Sequence, residues 1–210
     1  MINIQEIKKK LDLLKQLDSD FTIFGSTTHQ YKMNPVISMA KLENFEKKYE
    51  IKLPADYRKF LTEIGNGGAG PYFGILPLPM NVDPFDIEYN LKGLKQSFKY
   101  DKPWNWSEKV FEKFYVLFEE KDEEIEDFFQ HLFSENYYHE KHIEGSLYIA
   151  DYGCALRYYL VVSGKEKGNI WFDQRADHDG ITPVLNHKKK PITFTDWYIN
   201  WLDVSLNNFK

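Results

Sequence analysis

The run Gly65-Asn66-Gly67-Gly68-Ala69-Gly70 has the spacing of a dinucleotide fingerprint, in which backbone N–H groups would cradle a pyrophosphate. That chemistry needs a strand before the glycines and a helix after them. Here a helical pattern precedes them and Pro71 follows, so the run reads as a turn. Asp177-His178-Asp179-Gly180 resembles part of a calcium loop. With Gly180 at the turn position, Arg175 falls on the first ligand and Asn186 where a bidentate glutamate belongs. The register fails, and a polar turn beyond a strand remains. His139 and His142, with Glu140 and Glu144 beside them, would share one face of a helix and could hold a surface zinc or nickel ion. They lack the His-Glu-x-x-His spacing of zinc proteases and read as a solvated polar face. Cys154 is the only thiol. It follows a β-prone run beside Gly153, where a small buried residue is expected, and nothing in the sequence marks it as an activated nucleophile. Ser146 and Ser163 lie near glycines without a nucleophile-elbow pattern. Asp151, His178 and Asp179 are the residues a hydrolase reading would have to use, and no motif joins them. The expectation is a protein without catalytic residues, metal ligands or cofactor.

One charged feature stands out. Glu119, Glu120, Asp122, Glu123, Glu124, Glu126 and Asp127 oppose Lys121 alone, a local balance of −6 in a chain of net −5, so the other residues carry about +1. Such a surface repels phosphate backbones, which argues against nucleic acid as a partner. As a functional element the run would steer a protein partner with a basic surface, setting association rate and specificity more than affinity. Phe128, Phe129, Tyr137 and Tyr138 nearby could supply aromatic anchors. As a structural element the same run is a solvated helix face or an exposed loop.

These residues need a scaffold to position them. A chain of 210 residues, 42% hydrophobic and 17% aromatic, suffices for one domain with a large aromatic core. The single cysteine excludes an internal disulfide and fits a reducing compartment. From Ile2 to Leu17 apolar and charged residues alternate, unlike a secretory signal. No run reaches the ~20 apolar residues of a membrane span. A cytoplasmic location and no membrane partner are expected.

Asn3, with Glu6 at capping-box distance, should start a first helix with an Ile4, Ile7, Leu11, Leu14, Leu17 stripe. Phe21 to Phe24 is β-prone. Ser38 caps a second helix to Tyr49, Pro54 opens a third at its first position, and Gly65 stops it. Tyr72 to Leu78 reads as an edge strand, Leu147–Ala150, Arg157–Val162 and Asn169–Phe172 as strands, and Ser163–Gly168 as a hairpin turn. Helices are expected over Lys109–Phe118 and Glu123–Phe133. Thr193, with Asp196 at capping distance, should start a closing aromatic helix to Leu206. This order is α+β.

Three segments resemble the SUKH superfamily, which includes bacterial toxin-immunity proteins and a fungal cell-wall regulator. The first runs through Phe45, Glu46, Leu53, Pro54, Asp56, Tyr57, Phe60, Leu61, Asn66, Gly67 and Gly68. The second is Leu147-Tyr148-Ile149-Ala150-Asp151-Tyr152-Gly153-Cys154, then Leu160-Val161-Val162, Gly164, and Gly168-Asn169-Ile170-Trp171. The third is Thr193-Phe194-Thr195-Asp196-Trp197-Tyr198 through Trp201-Leu202. A single domain over 1–210 is expected, with two departures from the family pattern: the stretch at about 82–144 is longer and more acidic than in a minimal member and reads as an acidic helical insertion, and the first helix reads as an added element. The resemblance implies a curved, mainly antiparallel sheet with helices packed on one side, and protein binding without an active site. For bacterial members the implied role is neutralising a toxin, often a nuclease; for the fungal branch it is a scaffold or regulator. Most matching positions also have plain structural roles: a proline at a helix start, a glycine turn, rings in a core.

Overall fold

The computed structural model describes residues 3–78, 91, 93–118 and 131–210, the side chains of 114, 115, 117 and 118 apart. Local chemistry sets the helix starts. Asn3 Oδ1 accepts from the Glu6 amide at 3.2 Å and opens α1 (Ile4–Leu17), which buries Ile7, Leu11 and Leu14. A one-turn helix, α2 (Ser26–His29), follows. Ser38 caps α3 (Met39–Lys48), and α4 spans Ala55–Glu63. Pro54 is the N-cap of α4 and not its first helical residue, a shift of one position. Beyond α5 (Glu108–Phe118) and a helical segment over 131–136 come the strands β1 (Ser146–Gly153), β2 (Leu156–Val161), β3 (Ile170–Asp173) and β4 (Ile181–Pro183). The reciprocal Thr193–Asp196 capping box then starts α6 (Phe194–Asn207).

The strands form an antiparallel meander in the order β1-β2-β3-β4, and the β2–β3 hairpin turns where its glycines were expected to turn it. Two register shifts in β1 bend the sheet. Side chains alternate across it with the period of an extended chain. Leu147, Ile149, Tyr158, Leu160 and Ile170 join the core beneath α1, α3, α4 and α6, while Tyr148, Tyr159, Val161, Trp171 and Ile181 face the other way. The helical side is glued by rings: Phe60 lies 5.0 Å from Phe194 and 4.9 Å from Tyr198, all fully buried. Each such ring contributes roughly 3–5 kcal/mol.

The opposite face is covered too. Phe98, Tyr100, Trp104 and Ile143 close over Trp171, and a buried Asp173–Arg175 pair fastens this layer down. Arg175 reaches both carboxylate oxygens, at 2.8 and 2.7 Å, and donates to the Tyr137 carbonyl at 2.9 Å.

Four expectations need correction. Phe21–Phe24 forms no strand, because the Asp18 carboxylate captures the Thr22 and Ile23 amides and folds the stretch into a turn. Tyr72–Leu78 runs along the β1 edge but only as isolated bridges, Ile75 pairing with Gly68 and Ala150. Gly65 does end α4, yet its φ is not positive; any Cβ there would lie 2.8 Å from the Asn34 carbonyl oxygen. Positive φ falls instead on Gly67 and Gly68, at 79° and 107°. Cys154 is exposed, not buried, since it and Ala155 form the β1–β2 turn with φ of 51° and 61°.

Candidate functional site

A cleft of about 830 Å³ opens between α6, the loop after α1, and the hairpin that joins β4 to α6. Its floor is aromatic. Tyr72 and Tyr158 stack nearly parallel with centroids 5.1 Å apart, Trp197 packs 5.2 Å from Tyr158, and Phe172 backs Tyr158 from outside the lining at 4.3 Å. The Tyr158 hydroxyl donates to that of Tyr72 at 3.0 Å, and burial pushes the pKa of both upward, so both stay neutral.

The walls carry large apolar side chains that the fold leaves in water. Phe24 is 57% exposed, Leu185 45% and Val204 55%. Phe24 leans on Phe73 and Tyr152 at 5.4 and 5.7 Å, which extends the patch beyond the cleft. Scattered exposed apolar residues need no explanation, but these three line one cleft together.

Asp18 positions Phe24. It is 1% exposed and accepts from the Thr22 amide and hydroxyl at 2.6 and 2.7 Å, from the Ile23 amide at 3.2 Å and from the Tyr31 hydroxyl at 2.5 Å. Burial alone would raise its pKa; the Tyr31 and Thr22 hydrogen bonds outweigh this and hold it at about 2.

The polar groups of the cleft are sorted by charge. Asp203 pairs with Lys10 at 2.7 Å, and Asp196 closes the capping box of α6. Both carboxylates are thus committed within the fold. On the opposite lip the Leu185–Pro191 hairpin exposes His187, Lys188, Lys189 and Lys190. Asn186 Oδ1 holds that hairpin by accepting from the Lys188 and Lys190 amides at 2.9 and 3.1 Å. Among the described residues no carboxylate pairs with these lysines. Four basic residues in succession are the sequence signal for this lip, and no chemical motif singles them out.

The sequence-derived residues fall elsewhere. Glu119, Glu120, Asp122, Glu123, Glu124, Glu126, Asp127, Phe128 and Phe129 lie outside the described residues. Tyr137 is buried beneath Trp104, Trp106 and Phe111, and Tyr138 is 41% exposed. Phe45 packs 4.8 Å from Tyr49. Buried Glu46 accepts from the Leu53 amide at 2.9 Å and pairs with Lys52 and Arg58, tying α3 to the start of α4. Burial raises the pKa of Glu46, but Arg58, the Leu53 amide and Lys52 lower it more, and the net shift is downward. Asp56 accepts from the Thr195 amide and hydroxyl at 3.1 and 3.0 Å, joining α4 to α6. Leu53, Tyr57, Phe60, Trp171 and Phe194 are core. Asn66 exchanges two hydrogen bonds with the Leu78 backbone, at 2.7 and 2.9 Å. The Gly68 and Ala69 amides serve Ile75 and Lys32, so this turn offers no phosphate cradle. Gly164 and Gly168 turn the β2–β3 hairpin, and Asp151 accepts from the Gly153 amide at 2.7 Å. Trp197 and Trp201 line the cleft.

His142 departs from the solvated face expected of it. It is 5% exposed and stacks on Trp104 at 4.0 Å. Its Nε2–H donates to the Asn136 carbonyl at 2.6 Å and its Nδ1 accepts from Tyr100, which leaves no nitrogen for a metal. His139 caps the 3₁₀ turn Glu140–His142. Asp151 lies in β1 opposite Arg157 of β2, whereas the His178 ring, in the loop between β3 and β4, packs against Phe111 at 5.0 Å; the structure does not bring them together. Among the described residues no group of three or more His, Cys, Asp or Glu is placed to hold a metal ion, and no helix is long and apolar enough to cross a membrane.

No curated protein and no solved structure matches the chain. A family model, SMI1/KNR4 (SUKH-1), matches residues 37–190, well over half the chain. That span holds the first two motif segments, the whole sheet and the basic hairpin, while α1, Phe24 and α6 lie outside it. The chain therefore belongs to the SMI1/KNR4 (SUKH-1) family, which includes toxin-immunity proteins and fungal regulators.

Proposed function

We propose that the protein is an immunity protein that neutralises a toxin domain by stoichiometric, non-catalytic binding. The observation that carries this reading is the cleft. Exposed Phe24, Leu185 and Val204 surround an aromatic floor, and its carboxylates are already engaged within the fold. A surface of this kind suits desolvating contact, in which aromatic and aliphatic anchors supply most of the energy. Family membership supports the same reading.

The acidic run Glu119–Asp127 is a second element of the proposal. It draws in a partner whose active surface is basic, as that of a nuclease is, and so raises the association rate. The test is coexpression with the product of an adjacent gene encoding a toxic C-terminal domain. Protection of the cells and a 1:1 complex by light scattering are expected. A toxin that remains active with the protein in excess would refute the proposal. Glu120→Lys, Glu123→Lys and Glu124→Lys together should slow association about tenfold or more at low salt. An unchanged on-rate would remove the acidic run from the mechanism.

A further inference from the structure

The cleft specifies more than an apolar contact. The geometry points to an acidic peptide segment of the partner as its occupant, seated with an apolar side chain between Phe24, Leu185 and Val204 and its carboxylates against Lys188, Lys189 and Lys190. This inference rests on the protein-binding reading above and names the chemistry of the segment bound.

Three observations carry it. Among the described residues no acid pairs with the three exposed lysines, whereas Asp203 is paired with Lys10 at 2.7 Å. The lip is preformed: Asn186 accepts from two amides of the turn and its own amide donates to the Lys190 carbonyl at 2.9 Å, so the cations are presented without a further ordering cost to the backbone. The apolar part adjoins the charged part in sequence: Leu185, Asn186 and His187 of the hairpin line the same cleft as Val204 of α6, and the three exposed lysines follow them directly, beyond the lining itself.

A strand added to the sheet is a less suitable mode. Ile75 and Leu76 bond along the β1 edge, and Trp104 exchanges two backbone hydrogen bonds with Ile181 of β4, at 2.9 and 2.8 Å. Recognition therefore falls to side chains in the cleft.

Three fluorescein-labelled dodecapeptides test the inference. One carries Asp and Glu around a central Phe-Leu pair, one has Lys for every acid, and one has Ala-Ala for Phe-Leu. The full chain should bind the first at least tenfold more tightly than the other two in fluorescence anisotropy, with affinity falling as salt rises. Amide shifts should cluster in Leu185–Pro191 and around Val204. The triple variant Lys188→Glu, Lys189→Glu, Lys190→Glu and the single variant Val204→Asp alter exposed positions. Each should weaken the acidic peptide at least tenfold without lowering Tm.

Equal affinity for the three peptides, shifts confined to another surface, or displacement of the acidic peptide by a short oligothymidylate would each overturn the inference. Toxin neutralisation is scored separately. A protein that protects cells while the peptides fail loses only this assignment of the cleft. One that binds the acidic peptide but protects against no toxin loses the immunity reading.

Discussion

Replacing Asp18 by Asn removes one charge and keeps the shape, and so isolates what the carboxylate does. Asp18 accepts four hydrogen bonds at the start of the loop that carries Phe24. Asn offers one carbonyl oxygen; its NH₂ must then face either the Tyr31 hydroxyl and Ile23 amide or the two Thr22 donors. Two charge-assisted bonds are lost in either orientation, each worth roughly 1.5–3 kcal/mol, with partial recovery through water. The pKa held at about 2, against 3.8 for the free group, gives an independent figure. It amounts to on the order of 1–2 kcal/mol after allowance for solvent screening. The expected loss is about 2–4 kcal/mol at pH 7, or roughly 5–15 °C in Tm for a chain of this length.

The sign with pH is fixed as well. A carboxyl whose folded pKa is depressed contributes fully above its unfolded pKa, near 4, and loses that contribution as pH falls toward 2. The gap between wild type and Asp18→Asn should therefore narrow below pH 4. Urea unfolding at pH 7 and pH 3, followed by tryptophan fluorescence, measures both. A variant within about 0.5 kcal/mol of wild type at pH 7, or a gap that is constant with pH, would mean that the Asp18 charge does not hold this loop.

Three further outcomes are expected. Glu46→Ala leaves Arg58 and the buried Leu53 amide without their acceptor, and urea unfolding should show a loss of about 3 kcal/mol. Tyr57→Phe should be neutral or stabilising by up to about 1 kcal/mol in the same assay, because among the described residues the buried Tyr57 hydroxyl has no hydrogen-bond partner. His142 is held neutral, chiefly by burial, with its pKa lowered to about 4 from 6.5, so its contribution is present above pH 6.5 and lost as pH falls toward 4. Its ring resonances should show no titration down to pH 5 by NMR, and a midpoint near 6.5 would contradict the buried, doubly hydrogen-bonded placement.

Features set by neighbours in sequence were legible. The Asn3, Ser38 and Thr193–Asp196 caps and the β2–β3 hairpin each depend on residues a few positions apart, and side-chain oxygen or glycine chemistry announces them. Features set by distant partners were not. Phe21–Phe24 has strand propensity, but Asp18 and Tyr31 decide its shape from outside the run. Cys154 occupies a left-handed turn position without an Asn-Gly signal, so burial was expected where exposure occurs. His142 is buried because Trp104 and Tyr100, far away in sequence, close around it. The cleft draws on Phe24, Tyr72, Tyr158, Leu185 and Val204, five separated positions that no local pattern links. Only the His187–Lys190 run, and Val204 as an apolar residue off the buried stripe of α6, hinted at it.

On the reading proposed above, the protein works by covering a partner and not by turning over a substrate. The decisive measurement is isothermal titration of the purified chain into a toxin domain encoded beside it, with toxin activity followed in parallel. The expected result is one molar equivalent bound, with activity falling to zero at equivalence and restored when the complex is denatured and the toxin refolded alone. Inactivation at well below one equivalent, with the toxin or its substrate chemically altered, would contradict it.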